Sequence, residues 1–358
     1  MHLRQGRGEL TEEPIVIEGA YLADLLDQPL AVRAAVAGLS GAPSFASVAG
    51  DLAGGRYRQV VLTGMGSSYH ALYPLHLRLV GRGLPSMLVE TSELVHSMAE
   101  TIDESTLLVA VSQSGRSAEV VRLLGLEKTP GFTIGVTNDL GSTVARKADL
   151  TLPLHAGAEH SVSCKTYVAS LAVLRWLGGA LLGEDVREIG DELAQIEPPM
   201  GHYLSRWRSH TASLLDGLDG VRHLFVVGRG ASLATAGTGG LILKESARFP
   251  AEGMSSASFR HGPFEMLDDR VFVLVFAGDD RTSDLNGRLV DDILKVGGRA
   301  ALVGPNAAMD VFRVPEVPES VRLVLEILPV QMISLALAAI AGQEAGKFQR
   351  ASKVTIIE

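Results

Sequence analysis

The feature that most restricts how this chain can fold is a strand-and-loop pattern that occurs twice. Residues 60–64 read as an apolar strand running into Gly64-Met65-Gly66-Ser67-Ser68, and residues 224–228 as a strand running into Gly228-Arg229-Gly230-Ala231-Ser232. An offset of 164 residues superposes Gly64, Gly66 and Ser68 on Gly228, Gly230 and Ser232. At the same offset the apolar run 107–111 meets 271–275, and close by 133–136 meets 299–302. Short aliphatic runs separated by helix-length segments predict βαβ units, and hence parallel sheets covered by helices on both faces. The expected fold class is α/β, with two tandem doubly wound parallel-sheet domains of the flavodoxin-like, three-layer kind.

A chain of 358 residues suits two such domains of roughly 150 residues each. The first is placed at 45–195 and the second at 203–345, with Glu197-Pro198-Pro199 as the linker. Residues 1–44 form a leading arm in which Leu22, Leu25, Leu26 and Leu30 fit a helical face, and 346–358 form a C-terminal tail.

The formal charge of -9 opposes nucleic-acid phosphates and anionic lipid, so an anionic ligand has to be held by local donors. Cys164 is the only cysteine, which excludes an intrachain disulfide and a thiolate cage and fits a reducing, cytoplasmic setting. Residues 1–14 are polar and lack the apolar core of a signal peptide. The apolar stretches 168–182 and 321–341 are interrupted by Arg175, Arg322, Glu326 and Pro329, so they read as buried core helices and no membrane partner is expected.

Ligands of such sheets bind beyond the carboxyl ends of the strands, where glycine and serine loops expose backbone N–H groups. In the first half Ser67 and Ser68 follow one strand, and Ser112-Gln113-Ser114-Gly115-Arg116-Ser117 follows the next. Hydroxyls and amides from the two loops can converge on one phosphate. In the second half Phe276-Ala277-Gly278 replaces Ser112-Gln113-Ser114, so only one copy keeps a phosphate loop. A single serine turn often does no more than cap a helix; two turns after adjacent strands make that reading weaker. Gly64-x-Gly66 with Glu90 downstream could also belong to a dinucleotide site, but the third glycine is missing. His155, His160 and Cys164 lack metal-ligand spacing, and no metal or cofactor is expected.

With these loops in place the chain resembles the sugar isomerase (SIS) double-domain family: the isomerase half of glutamine:fructose-6-phosphate amidotransferase, the glucosamine-6-phosphate deaminases and the fructosamine deglycases. The resemblance runs from about residue 15 to the end. It is carried by the Gly-x-Ser-Ser loop, Ser112-Gln113-Ser114-Gly115, Glu159-His160-Ser161-Val162 with Lys165, Lys244-Glu245, His261-Gly262-Pro263 and Lys353-Val354-Thr355, in family order. It implies a phosphate pocket of Ser68, Ser112, Gln113, Ser114 and Ser117, with Gly66, Ser67, Val162, Ser163 and Ser352 also touching the substrate. It further implies Glu245 as the base, His261 as the ring opener and Lys353 as the reactive amine. The histidine reaches the site from a second subunit in such proteins, so a homodimer with a shared site is implied.

These assignments suit the chemistry. One carboxylate over carbons 1 and 2 can remove and return the proton that interconverts aldose and ketose. A mid-helix Glu245 among Leu241, Ile242, Leu243 and Ala247 would be half-buried, with a raised pKa. An imidazole suits ring opening, and a lysine amine can form a Schiff base with the open ketose.

The amidotransferases carry a cysteine-dependent glutaminase ahead of this region, and the roughly 40 residues before the first domain here contain no cysteine. The expected reaction is therefore deamination of glucosamine 6-phosphate or a close amino-sugar phosphate to fructose 6-phosphate and ammonia. Deglycation of a fructosamine phosphate, another phosphosugar isomerisation and a non-catalytic sugar-phosphate sensor are the alternatives. Thr238 and Ile242 stand where the synthases have a glutamate and a lysine, which alters contacts near the amino-bearing carbons.

Overall fold

The computed structural model describes residues 15–350 and 352–353; the polar start, Ala351 and the chain from Val354 onward lie outside the described residues. Five parallel strands, β1 (Gln59–Gly64), β2 (Ser86–Glu90), β3 (Thr106–Val111), β4 (Phe132–Thr137) and β5 (Leu150–Pro153), stand in the order β2-β1-β3-β4-β5. Four more, β6 (His223–Gly228), β7 (Ala251–Ser255), β8 (Val271–Phe276) and β9 (Arg299–Val303), stand in the order β7-β6-β8-β9. The second sheet thus copies the first through four strands. Beyond β9 the chain makes an isolated parallel bridge, Gly304 with Arg313.

Because side chains alternate along a strand, each sheet divides its apolar residues between two faces. Val60 and Leu62 of β1 join the same central cluster as Leu224 and Val226 of β6. Val61 faces outward with Leu94 and Leu108, and Phe225 and Val227 face outward with Phe259. Between the sheets run Lys165–Leu181 and Leu328–Ile340, buried nearly all round. This explains their composition: the segment Glu319–Ile340 is long and apolar enough to cross a membrane, yet its apolar window is 89% buried inside the protein.

One local expectation is corrected. The arm forms two helices, Ala20–Leu26 and Gln28–Leu39, that meet at Asp27. The break shifts the helical phase, so Leu22 and Leu25 are buried while Leu26 and Leu30 are exposed; Tyr21, Val32, Ala35 and Leu39 complete the core face. Glu197-Pro198-Pro199, placed as the linker, opens the helix Glu197–Ser205. Proline suits the first helical turn, where its missing N–H would have had no intrahelical partner.

The helix Leu233–Ser246 lies directly on β7 through glycine contacts. A Cβ on Gly240 would come 2.4 Å from the Gly253 amide nitrogen, and one on Gly253 would come 2.1 Å from the Ala236 carbonyl oxygen. Backbone approaches backbone there, so a side chain has no room. Gly240→Val is expected to lower stability by about 1–3 kcal/mol, read as a lower urea midpoint with an unchanged m value.

Near this helix Ser232 Oγ donates to the Glu326 carboxylate at 3.1 Å. Burial pushes the Glu326 pKa from 4.5 up to about 7, against the opposing effect of the Ser232 bond. A carboxyl that keeps its proton longer when folded stabilises the fold at low pH, and that contribution is lost as pH rises between 4.5 and about 7. Glu326→Gln is expected to flatten this fall, which is on the order of 2–3 kcal/mol, when unfolding free energies are compared at pH 5 and pH 8.

Candidate active site

The first sheet reverses its winding between β1 and β3, and the loops after those strands open the crevice where such sheets bind ligands. Gly64 allows the two strand ends to lie close, since a Cβ there would be 2.9 Å from the Val111 carbonyl oxygen. Gly66 turns the chain at φ +53 into the short helix Ser67–Ala71. After β3 the serine loop folds onto itself. Ser112 Oγ accepts the Gly115 N–H at 3.1 Å and lies 3.5 Å from Ser117 Oγ, while Ser114 Oγ accepts the Arg116 N–H at 3.2 Å.

The Arg116 guanidinium is drawn to Asp139 by two bonds of 3.0 and 2.7 Å and does not line the cavity. The Gly141 amide and then Arg116 hold Asp139 below the usual carboxylate range. The loop therefore offers an anion hydroxyls and amides, without a guanidinium of its own.

Glu245 is supplied by the second half. It is the penultimate residue of Leu233–Ser246, not a mid-helix residue as the flanking aliphatics implied. Burial raises its pKa; Lys353 and Lys244 pull it down, and Glu159 pushes it up. The negative end of the helix dipole acts in the same direction as burial.

The third contribution comes from the tail. Gly346 donates its N–H to the Ser246 carbonyl at 2.8 Å, and its own carbonyl accepts Ser161 Oγ at 2.6 Å. A Cβ on Gly346 would meet Ser161 Oγ at 2.4 Å and Tyr21 Cβ at 2.5 Å, and its φ is +71. The tail is thus fixed to the end of the Glu245 helix before it crosses the cavity. At Lys353 the ammonium donates to Glu159 Oε2 at 2.6 Å and to the Ser161 carbonyl.

Glu159 has a side chain with no solvent exposure, yet it accepts the Cys164 N–H at 2.9 Å, the Thr166 N–H at 3.0 Å and Thr166 Oγ1 at 2.7 Å. Those donors keep a buried anion ready for the lysine. The arm supports the same turn, with Asp24 accepting the His160 and Ser161 N–H groups and Lys165 pairing with Asp27 at 2.9 Å. Lys165 therefore ties the turn to the arm and is absent from the cavity lining.

These pieces enclose one cavity of about 610 Å³. Gly66, Ser67, Ser68, Ser112, Gln113, Ser114, Ser117, Val162, Ser163, Glu245, Ser352 and Lys353 all line it. His261 does not: it follows the helix Ser256–Arg260, exposed and outside the cavity of its own chain. Thr238 and Ile242 are fully buried and do not line it either. The sequence reading passed over Glu159 as a lysine-holding group, although it stands in a motif already singled out. It also passed over Lys244, Arg248, Lys347 and Arg350, which line the cavity. Among the described residues no group of three or more His, Cys, Asp or Glu side chains could hold a metal ion.

The SIS domain family matches residues 56–178 and 218–303, which together make up more than half of the chain. The chain belongs to the SIS domain family. Its sequence is 31% identical to the glutamine–fructose-6-phosphate aminotransferase (isomerizing) of Pyrococcus horikoshii over 95% of this chain, and 30% identical to that of Thermococcus kodakarensis over 98%. The chain spans 58% and 62% of the length of these two relatives. Its fold is similar to the C-terminal domain of glucosamine-fructose-6-phosphate aminotransferase from Francisella tularensis, with a TM-score of 0.80, 21% identity and coverage of 92% of this chain and 98% of that one. It is also similar to glucosamine-6-phosphate deaminase from Thermotoga maritima, with a TM-score of 0.74, 17% identity and coverage of 95% and 100%.

Glu159→Gln keeps a carbonyl oxygen for the Cys164 and Thr166 amides but loses the charge opposite Lys353. A hydrogen bond to a charged group contributes roughly 1.5 kcal/mol or more. Carboxypeptidase digestion of the tail is therefore expected to speed up on the order of tenfold; equal digestion rates would show that the pair does not hold the tail.

Proposed function

We propose that this SIS-family chain is an amino-sugar-phosphate isomerase and deaminase, taking glucosamine 6-phosphate and water to fructose 6-phosphate and ammonia. The observation that carries this reading is the single cavity in which the Ser112 loop of the first half meets Glu245 of the second half and Lys353 of the tail. The serine loops take the phosphate, which leaves carbons 1 and 2 for the groups at the other end. His261 comes from a second copy of the chain and moves a proton from the anomeric hydroxyl to the ring oxygen, opening the ring.

Glu245 then removes the proton on carbon 2 of the open-chain amino aldehyde and returns it to carbon 1. The amine becomes an imine and the aldehyde oxygen a hydroxyl. Lys353, released from Glu159 and deprotonated, adds to carbon 2 and displaces ammonia. Water hydrolyses that Schiff base, giving the ketose and restoring the amine. The proton transfer requires Glu245 as its anion, and burial raises its pKa, so the rate is lost on the acid side at a pH above that of an ordinary carboxyl.

A second reading, deglycation of a fructosamine 6-phosphate, is favoured by Lys244, Arg248, Lys347 and Arg350. They line the cavity from the elements that carry Glu245 and Lys353, where a carboxylate on the amine substituent would meet them. A substrate panel with ammonia or released amino acid as the readout separates the two.

Glu245→Gln is expected to cut kcat by roughly 10²- to 10⁴-fold with phosphate-end affinity unchanged. In the wild type, the acid limb of the rate should stand above the 4.5 of a free glutamate. Unaltered turnover in Glu245→Gln would remove it as the base.

A further inference from the structure

The molecule has a second cavity, of about 290 Å³, at the place where the internal repeat puts a counterpart of the first. The first cavity uses Ser67 after β1, Ser117 after β3 and Leu241 from the helix of the opposite half. The second uses Ala231 after β6, Arg281 after β8 and Leu77 from the helix Tyr73–Gly81 of the opposite half. All three pairs are related by the offset of 164. The two cavities are therefore images of one another under the same duplication that relates the sheets.

The chemistry has not been copied with the shape. Phe276-Ala277-Gly278 stands in place of Ser112-Gln113-Ser114, and Gly81 stands at the position of Glu245. The second cavity has no serine loop and no counterpart of Glu245. In exchange it has cations. Arg78 and Arg175 both line it, and both lean on Glu184, at 2.6 and 3.5 Å, while Arg82 takes the same carboxylate at 3.2 Å. Glu192 adds only a distant contact to Arg175, at 3.7 Å.

Three guanidiniums thus crowd one carboxylate. Burial first, and then the neighbouring Arg78, lower the Arg175 pKa, as expected for like charges held together in a half-dry place. Arg281 occupies the position of Ser117 and pairs with Asp279, while Glu319, the other acid lining the cavity, faces Arg322 at 3.9 Å. The opposite wall is aliphatic, from Leu171, Leu174 and Val324. An anion with a compact body would relieve the repulsion between the arginines and cover that wall.

We propose that this second cavity binds a phosphomonoester of hexose size without transforming it. Its walls come from both halves, so the bound molecule bridges them. This does not depend on the reaction proposed above, because none of the reacting groups is used.

The test is calorimetric titration of the intact chain with glucose 6-phosphate and, separately, with inorganic phosphate. The variants are Ala231→Phe, Arg78→Gln and a Ser112→Ala/Ser114→Ala pair. Ala231 is exposed, so a phenylalanine there fills the cavity without disturbing the core. Two binding events per wild-type chain are expected with glucose 6-phosphate. Ala231→Phe and Arg78→Gln should each weaken one event at least tenfold and spare the other, and the serine variant should do the reverse. If the serine-sensitive event is missing but the Ala231-sensitive one remains, the proposal stands while the reading of the first cavity fails. A sugar phosphate whose binding ignores both Ala231→Phe and Arg78→Gln overturns it. So does an Ala231-sensitive event seen with inorganic phosphate and not with the sugar phosphate.

Discussion

One continuous apolar core joins the two halves, and the site rests on that union. Residues of β1 and β6 belong to the same buried cluster, filled by helices that neither sheet could cover alone. A carboxylate grown from one half can stand over a crevice grown from the other only if the halves keep a fixed relation. A large, dry, close-packed seam supplies that relation, because interiors packed at crystal-like density do not slide by small amounts. The glycine contact between the Glu245 helix and β7 adds precision on the same axis by seating backbone on backbone.

The sheets were legible because duplication leaves a signal that single-strand propensities lack. Gly64 and Gly228 mark equivalent strand ends, and the aliphatic runs that follow each fall at matching intervals. What failed were phases and ends. Leu26 and Leu30 were assigned to a face by extending one helix through Asp27, where the chain in fact begins another. Glu245 was set in mid-helix because aliphatics surround it, although the helix stops one residue later. Glu159 and Lys353 are 194 residues apart, and no local pattern announces a pair at that separation. His261 lies outside the cavity of its own chain, and its assignment rests on resemblance alone.

Electrostatics at the site run against the charge of the molecule. A chain with a formal charge of -9 gathers Lys244, Arg248, Lys347, Arg350 and Lys353 around one opening. Long-range attraction of an anionic sugar must therefore come from this patch, over a distance of roughly one Debye length, about 8–10 Å in physiological salt. Inside, the Ser112 loop presents dipoles and hydroxyls, while the fixed charges stand on the Glu245 helix and the tail.

Gly346 sets a geometric limit on the tail. The glycine is wedged between Ser161, Tyr21 and Ser246, so the chain beyond it starts from an anchored point. From Gly346 to Lys353 a fully stretched backbone reaches on the order of 25 Å. The Lys353 amine is thus tethered within that radius of the Ser246 end of the Glu245 helix, at an effective concentration in the millimolar range.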